Sequence, residues 1–193
     1  MSSNKEIEVK FRVKNVRELT RNLRRGGFRL LTRRTHELNT LYDWPDHRLQ
    51  NRGELLRLRK YGSEWLLTHK AKGGVGRHKT RIEIETQVAD GMKMAAILEA
   101  LGLVPSFRYE KFRAEWSDGR GQVVVDQTPI GDFGEIEGRS RWIDQVAKKL
   151  GIERQDYITE TYAELFFAWK RRSGSRAQEM TFKAGGKRPK EKV

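Results

Sequence analysis

The stretch Glu6-Ile7-Glu8-Val9-Lys10-Phe11 alternates charged and apolar residues without interruption. Successive side chains of a β-strand point to opposite faces of the sheet. One face of this stretch therefore carries two carboxylates and an ammonium group, whereas the other face carries Ile7, Val9 and Phe11. The stretch predicts a strand with one charged face and one apolar face that is suited to burial.

The same alternation returns along the chain, and in each of these later runs the paired charges on one face have the same sign. The pairs are Arg57 and Arg59, Lys70 and Lys72, Glu83 and Glu85, Lys111 and Arg113, and Glu135 and Glu137, and Asp126 adds a further acidic position. About eight antiparallel strands of this kind can close into a β-barrel. The charged faces then lie either in solvent or inside the barrel. The second arrangement requires helices to cover the apolar exterior.

Helical periodicity predicts four amphipathic helices that can provide this cover. They span residues 16–25, 91–101, 141–150 and 161–171. Residues 28–44 have strand character, and we expect a break in that strand near Arg33 and Arg34. The glycine-rich basic loop at residues 73–79 lacks the spacing of a phosphate-binding P-loop. It is interpreted either as a flexible hairpin or as a basic lid.

The composition restricts the classes of protein and partner. The chain has 193 residues, of which 36% are hydrophobic and 34% are charged, and its formal net charge is +14. This charge favours polyanionic partners such as nucleotides, polyphosphate or nucleic acid. The absence of cysteine excludes disulfides and thiolate metal sites. There is no secretory signal region and no stretch of membrane-span length, so we expect a cytoplasmic protein without a membrane partner.

The chain is predicted to divide into one folded domain over residues 1–172 and a basic tail over residues 173–193. The tail is rich in Gly, Ser, Lys and Arg and has no hydrophobic periodicity, so we expect it to be disordered. Its positive charge makes it a candidate for weak nucleic-acid binding. For the histidines we expect structural or solvent-facing roles, because no pair has the spacing of a zinc site; they are His36, His47, His69 and His78.

A barrel interior lined by cations and carboxylates has a definite chemical use. Several Lys and Arg side chains together neutralise a polyphosphate, and Arg does so with a fixed fork geometry. Carboxylates on the same surface repel phosphate unless a divalent cation lies between them, and Mg²⁺ and Mn²⁺ prefer oxygen ligands. The cations therefore predict a triphosphate, and the carboxylates predict Mg²⁺ or Mn²⁺.

A set of motifs occurs in order along the chain: Glu6-Ile7-Glu8-Val9-Lys10, Leu56-Arg57-Leu58-Arg59, Leu67-Thr68-His69-Lys70, Arg81-Ile82-Glu83-Ile84-Glu85, Lys111-Phe112-Arg113, Asp126, and Gly131-Asp132-Phe133-Gly134-Glu135-Ile136-Glu137. With these motifs, residues 5–170 resemble the CYTH superfamily, the triphosphate tunnel metalloenzymes. The resemblance implies an α+β fold: a closed eight-stranded antiparallel β-barrel with a charged interior, the triphosphate tunnel, and helices packed outside.

The resemblance also implies roles for individual residues. The implied metal ligands are Glu6, Glu8, Glu135 and Glu137, with Asp126 as a further candidate. The implied triphosphate ligands are Lys10, Arg57, Arg59, Lys70, Lys111 and Arg113. Glu83 and Glu85 either bind a second metal or pair with tunnel cations. Lys10 is also a candidate catalytic residue, which positions or deprotonates a nucleophilic water if neighbouring cations lower its pKa.

Three functions are compatible with these residues. The first is metal-dependent hydrolysis of inorganic triphosphate, thiamine triphosphate or a nucleoside triphosphate. The second is a class IV-like adenylyl cyclase, which converts ATP to cyclic AMP and pyrophosphate with the same tunnel residues. The chain enters its first strand without the longer lead-in associated with such cyclases, which favours hydrolysis. The third is a non-catalytic module that binds polyphosphate or RNA.

Overall fold

The computed structural model of the protein describes residues 4–76 and 78–185. Its strands are β1 (Asn4–Arg12), β2 (Arg29–Asp43), β3 (Leu55–Tyr61), β4 (Glu64–Lys70), β5 (Gly74–Val75), β6 (Lys79–Val88), β7 (Val104–Ser117), β8 (Gln122–Thr128) and β9 (Gly131–Glu137). Its helices are α1 (Val16–Arg25), α2 (Arg48–Asn51), α3 (Gly91–Ala100), α4 (Ser140–Lys149), α5 (Tyr162–Ser173) and α6 (Phe182–Gly185). Within these ranges no helix has both the length and the apolar character needed to cross a lipid bilayer.

Eight strands close into an antiparallel barrel. Their order is β1-β9-β8-β7-β2-β3-β4-β6, and β6 pairs with β1 to complete the ring. Closure leaves the eight strands without an unpaired edge around the ring. The short strand β5 pairs with β6 and forms a hairpin beside the barrel. The prediction of a closed eight-stranded antiparallel barrel with helices outside is confirmed.

The apolar face of β1 points outward and the charged face points inward. Val9 and Phe11 are buried in a core that lies between the barrel wall and helices α1 and α4. Burial of one such side chain stabilises the fold by roughly 1.5–3 kcal/mol. Gly134 on β9 lies opposite Phe11, and a Cβ atom at this position would be 2.2 Å from the Phe11 ring. The packing of this core therefore requires glycine at position 134. The core lies on the outer side of the barrel wall and not in the tunnel.

Local signals explain where two of the covering helices begin. The Asn15 side chain accepts a hydrogen bond from the backbone N–H of Glu18 and caps α1. At α5, Thr161 and Glu164 form a reciprocal capping box, in which each side chain accepts from the other residue's backbone N–H. This box holds the first residue of α5, Tyr162, at the barrel.

Strand β2 differs from its prediction, because it continues through Arg33 and Arg34. Its pairing with β7 shifts register between Leu30 and Thr32 and again between Thr32 and Thr35. Such irregularities absorb extra residues without ending the strand. The expected break is therefore a pair of register shifts in a strand of 15 residues.

The C-terminal segment also differs from its prediction up to residue 185. Met180 is fully buried, its backbone N–H donates to the carbonyl of Arg108, and it bridges to Tyr109 on β7. The short helix α6 follows. The expectation of disorder from residue 173 onward therefore fails for residues 173–185, because one apolar side chain anchors an otherwise polar segment. The rest of the predicted tail, residues 186–193, lies outside the described residues.

Candidate active site

The barrel encloses a cavity of about 580 Å³ whose wall is mostly charged. Twelve of the thirteen side chains predicted for the site line this cavity, and Asp126 is the exception. They come from strands β1, β3, β4, β6, β7 and β9, which are distant in sequence. The structure therefore places the charged faces inside the barrel, and of the two arrangements compatible with the sequence the tunnel is the one formed.

Carboxylates from β1 and β9 form one part of the wall. Glu8 lies directly opposite Glu137 in the β1–β9 pairing, and Glu6 lies on the same face of β1. Like charges in directly opposed positions destabilise a sheet. Partial removal from water inside the cavity and the charges of Glu6 and Glu8 raise the pKa of Glu137 to about 7. These three carboxylates form a concentration of negative charge that the surrounding cations do not fully offset.

This donor set fits a hard divalent cation in its chemistry. Mg²⁺ and Mn²⁺ prefer carboxylate oxygens. A divalent cation here would relieve the repulsion among Glu6, Glu8 and Glu137 that raises the pKa of Glu137. In this structure Glu6 forms an ion pair with Lys70 (Nζ–Oε2 2.6 Å), and Glu8 Oε1 lies 3.7 Å from Lys79 Nζ. Within residues 4–76 and 78–185, no three Asp, Glu, His or Cys side chains converge closely enough to enclose an ion.

The other predicted metal ligand on β9, Glu135, is bound to cations. Its carboxylate pairs with Lys10 at 3.2 Å and with Arg113. Burial opposes ionisation of Glu135, but Lys10 and Arg113 outweigh this effect and hold its pKa well below the usual range. For Lys10, burial lowers the pKa, but the charges of Glu135 and Glu8 raise it by more. The pKa of Lys10 therefore lies above the ordinary value. This direction is opposite to the one that the proposed role of Lys10 as a base requires, and it favours a charged ammonium group that can bind phosphate.

Asp126 is buried behind the cavity wall and holds cations in place. Its oxygens accept hydrogen bonds from Lys111 at 2.9 Å, from Arg113 at 2.8 and 2.6 Å, and from the Tyr162 hydroxyl at 2.7 Å. A carboxylate with this many donors has little capacity left for a metal ion. The geometry therefore favours Asp126 as an anchor for Lys111 and Arg113, and its role as a metal ligand stays a prediction.

Arginines on β3 and carboxylates on β6 form a further part of the wall, in which β6 lies next to β1. Arg59 donates to Glu85 at 2.9 Å, and Lys70 pairs with Glu83 at 2.8 Å. Of the two roles left open for Glu83 and Glu85, the geometry favours pairing with tunnel cations. The buried Nε atoms of three arginines have no hydrogen-bond partner in the described part of the chain; they belong to Arg57, Arg59 and Arg81.

Several residues of the site were missed at the sequence level. Glu37 on β2 is fully buried behind the cationic wall, where Oε1 lies 3.5 Å from Lys111 and accepts from the Asn39 side chain at 2.9 Å. The alternation of Glu37 with Asn39 in a predicted strand was the available signal. The cavity wall also contains Lys79, Arg81, Tyr109, Glu115, Thr161 and Tyr162.

The histidines stay outside the described lining of the cavity, and the glycine-rich loop contributes its last residue, Lys79. His36 contacts Glu110 at 2.7 Å, His69 contacts Glu54 at 3.4 Å and His78 contacts Asp144 at 3.0 Å; none of these ring systems belongs to the described lining of the cavity. Residues 74–75 form β5, so the loop begins as a hairpin strand. Position 77 of this loop lies outside the described residues.

Comparisons with known proteins agree with this fold. A protein of Methanocaldococcus jannaschii that bears the name "putative adenylate cyclase" is 26% identical over 171 residues, which cover 83% of this chain and 97% of that protein. A conserved hypothetical protein from Pyrococcus furiosus has a solved structure with a TM-score of 0.72 and 25% identity, covering 83% of this chain and 99% of its own. A structure from Vibrio parahaemolyticus, also named "putative adenylate cyclase", has a TM-score of 0.76 and 20% identity, covering 86% and 99%.

The model of one protein family spans most of the chain. It is the model described as the CYTH domain, and it matches residues 4–162. This range includes all eight barrel strands and every residue assigned above to the metal and phosphate sites. The chain therefore belongs to the CYTH domain family.

Proposed function

We propose that this protein hydrolyses a triphosphate inside its barrel with Mg²⁺ or Mn²⁺, and that inorganic triphosphate is the substrate the tunnel suits best. The observation that carries the proposal is the set of buried arginine N–H groups on Arg57, Arg59 and Arg81 that have no acceptor within the described residues. Buried donors without partners are unfavourable in a folded protein. All three arginines line the cavity, so phosphate oxygens that enter it would bring acceptors next to these guanidinium groups.

The two parts of the wall support different roles in this reaction. The cations Arg57, Arg59, Lys111 and Arg113 hold the phosphate chain and stabilise the negative charge that builds up on its oxygens. A water oxygen forms a bond to the terminal phosphorus while the phosphoanhydride P–O bond breaks, and pyrophosphate leaves. A divalent cation held by Glu6, Glu8 and Glu137 would polarise the phosphoryl oxygens.

The cavity wall favours a substrate without a large organic group. Its described lining contains only Leu55, Tyr109 and Tyr162 as apolar or aromatic residues. Both tyrosines are 7% exposed. The Tyr162 ring is also covered by Lys10 and Lys111, whose Nζ atoms lie 4.7 and 4.8 Å from its centroid. A nucleobase would therefore find little surface for stacking or apolar contact.

Conversion of ATP to cyclic AMP is the second candidate. The M. jannaschii relative that bears the name "putative adenylate cyclase" is matched over 97% of its length. In that reaction the ribose hydroxyl attacks the α-phosphorus and pyrophosphate leaves. Because both reactions place a triphosphate chain against the tunnel side chains, the same residues would serve either reaction.

Product analysis distinguishes the candidates. The purified protein is incubated with Mg²⁺ or Mn²⁺ and with triphosphate, thiamine triphosphate or ATP. Orthophosphate and pyrophosphate from triphosphate are expected, and Glu8→Gln or Arg57→Gln should abolish this turnover. The exposed positions Glu18→Gln and Arg171→Gln are the matched controls and should retain it.

Other products would change the assignment. Cyclic AMP and pyrophosphate from ATP, with triphosphate left intact, would establish the cyclase instead. Tight binding of triphosphate without turnover under either metal would indicate a binding module.

A further inference from the structure

Helix α1 presents a row of arginines on the outside of the barrel. Arg17, Arg21, Arg24 and Arg25 are all exposed. At 3.6 residues per turn, these positions lie within about 100° of one another around the helix axis. We call these four side chains the arginine face.

The arginine face lacks the ion pairs that the tunnel cations have. Among the ion pairs within residues 4–76 and 78–185, none includes Arg17, Arg21, Arg24 or Arg25. Like charges three or four positions apart destabilise a helix by about 0.2–0.5 kcal/mol per pair. The fold therefore maintains a row of positive charge that has no ion pair with the described residues, and an external anion would neutralise it.

The chain on both sides of α1 extends this positive charge. Residues 12–34 contain nine Lys and Arg residues and a single acidic residue, Glu18, all of them exposed. Their net charge of +8 is more than half of the +14 carried by the chain. The charge excess is thus concentrated on one surface segment, which is separate from the predicted basic tail.

The chemistry of this surface fits phosphate groups in a row. Guanidinium forks bind phosphate oxygens in a bidentate manner, and eight of the nine cations are arginines. From Arg17 to Arg24 the face extends about 10 Å along the helix, at 1.5 Å per residue. This length suits consecutive phosphates of a polymer better than one compact anion.

Neighbouring apolar residues decide between polymers and membranes. Single-stranded nucleic acids are held largely by stacking on exposed aromatic rings, but Phe28 and Trp116 beside α1 are buried. Helices that bind membranes insert apolar side chains beside their cations, whereas Leu19 and Leu23 of α1 are buried in the core. The exposed leucines of the positive segment, Leu30 and Leu31, belong to strand β2 and not to the helix. We propose that the arginine face binds the phosphate backbone of a nucleic-acid duplex, without reading its bases.

This surface is independent of the tunnel. Leu19 and Leu23 of α1 pack in one core cluster with Trp116 and Val123 on the outer side of the barrel wall. All four arginines are exposed to solvent, and the Arg24 guanidinium also lies over the Trp116 ring, 5.3 Å from its centroid. Duplex binding therefore does not depend on the proposed hydrolysis, and triphosphate in the tunnel should not displace the duplex.

The test measures binding of the full chain to a fluorescently labelled short duplex as salt concentration is varied. Arg17→Gln/Arg21→Gln removes two charges from the face, and Arg171→Gln/Arg172→Gln removes two exposed charges from the last turn of α5. The α1 variant should lose about tenfold or more in affinity at low salt, and its slope of log K against log salt should be smaller by about 2. The α5 variant should stay close to the parent protein. Triphosphate hydrolysis, or triphosphate binding, should be unchanged in both variants.

Four outcomes would overturn the proposal. Equal losses in the two variants would show a response to net charge alone. If the α1 variant binds the duplex as the parent does, and deletion of residues 186–193 lowers the affinity, the duplex binds to the tail. Displacement of the duplex by triphosphate would place the duplex at the tunnel. Binding of the parent protein to vesicles containing phosphatidylglycerol, but not to the duplex, would identify a membrane surface.

Discussion

Glu37 and Lys111 form a buried contact behind the tunnel wall, in which the carboxylate Oε1 lies 3.5 Å from the ammonium Nζ and both side chains are almost fully excluded from solvent. On its other side, Lys111 donates to Asp126 at 2.9 Å. Glu37 Oε2 also lies 3.8 Å from Arg59 and 3.9 Å from Arg113. Two buried carboxylates thus support the cations proposed to hold the phosphate chain.

The first prediction concerns acid stability. Burial raises the pKa of Glu37, but Lys111, Arg113 and Arg59 outweigh it and lower the pKa from 4.5 to about 2. A carboxylate with a lowered folded-state pKa stabilises the fold above its unfolded pKa, and this contribution is lost as the pH falls from 4.5 towards 2. The contribution at neutral pH is roughly 3 kcal/mol.

Urea unfolding of the parent protein and Glu37→Gln between pH 7 and pH 2.5 tests this prediction. The variant should be less stable at pH 7 and should show a shallower loss of stability on acidification, smaller by about one proton. Glu18→Gln, at an exposed position, is the control. Parallel pH profiles for parent and Glu37→Gln would contradict the role assigned to Glu37.

The second prediction separates Asp126 from the proposed metal ligands. Because Asp126 binds Lys111 and Arg113, Asp126→Asn should weaken triphosphate binding by about tenfold or more, as expected for lost charge-assisted hydrogen bonds. The concentration of Mg²⁺ needed for half-maximal activity should stay unchanged. Glu8→Gln, which should abolish turnover, should instead weaken the binding of the metal itself. Calorimetric titration with triphosphate and with metal measures the two effects separately, and a metal-specific defect in Asp126→Asn would support its role as a metal ligand.

The third prediction concerns the contact of the barrel wall with its core. Gly134→Ala places a Cβ atom 2.2 Å from the Phe11 ring, which the packed core cannot accommodate without displacement. The variant should lose about 1–3 kcal/mol of unfolding free energy or more. Gly74→Ala is the matched control, because no atom lies within 4 Å of its added Cβ. Thermal unfolding that is equally affected in both variants would show that glycine flexibility, rather than the clash, matters.

The fourth prediction concerns the docked C-terminal segment. Met180 is fully buried with Phe107, Tyr109 and Phe166, so Met180→Ala should destabilise the protein by about 2–5 kcal/mol. Met92→Ala, at a side chain that is 71% exposed, should change stability little. Chemical denaturation compares the two. An unaffected Met180→Ala variant would support the original expectation of a disordered segment after residue 172.

Much of the site was predictable because the alternation in strands is strict. In β1, the charged residues Glu6, Glu8 and Lys10 share a face by geometry alone, and the same holds for Arg57 and Arg59 in β3. Glu37 was missed because its strand mixes Asn and Leu with the acidic residue, so no repeated charge marks a face. Asp126 was assigned to the metal because the sequence does not show which donors surround a carboxylate.

By itself, the sequence determined the strands, the four long helices, the segregation of charges into cationic and acidic strands, and the positive segment around α1. These follow from local periodicity, which depends only on residue spacing. The tertiary structure decided that the charged faces turn inward, that Glu135 and Asp126 are bound to cations, and that Met180 anchors the segment after α5. These outcomes depend on barrel closure, which brings side chains from distant strands within hydrogen-bond distance and removes them from water. Inside the closed barrel, the neighbours of a charged side chain, and not its residue type alone, decide whether it binds a ligand or supports another side chain.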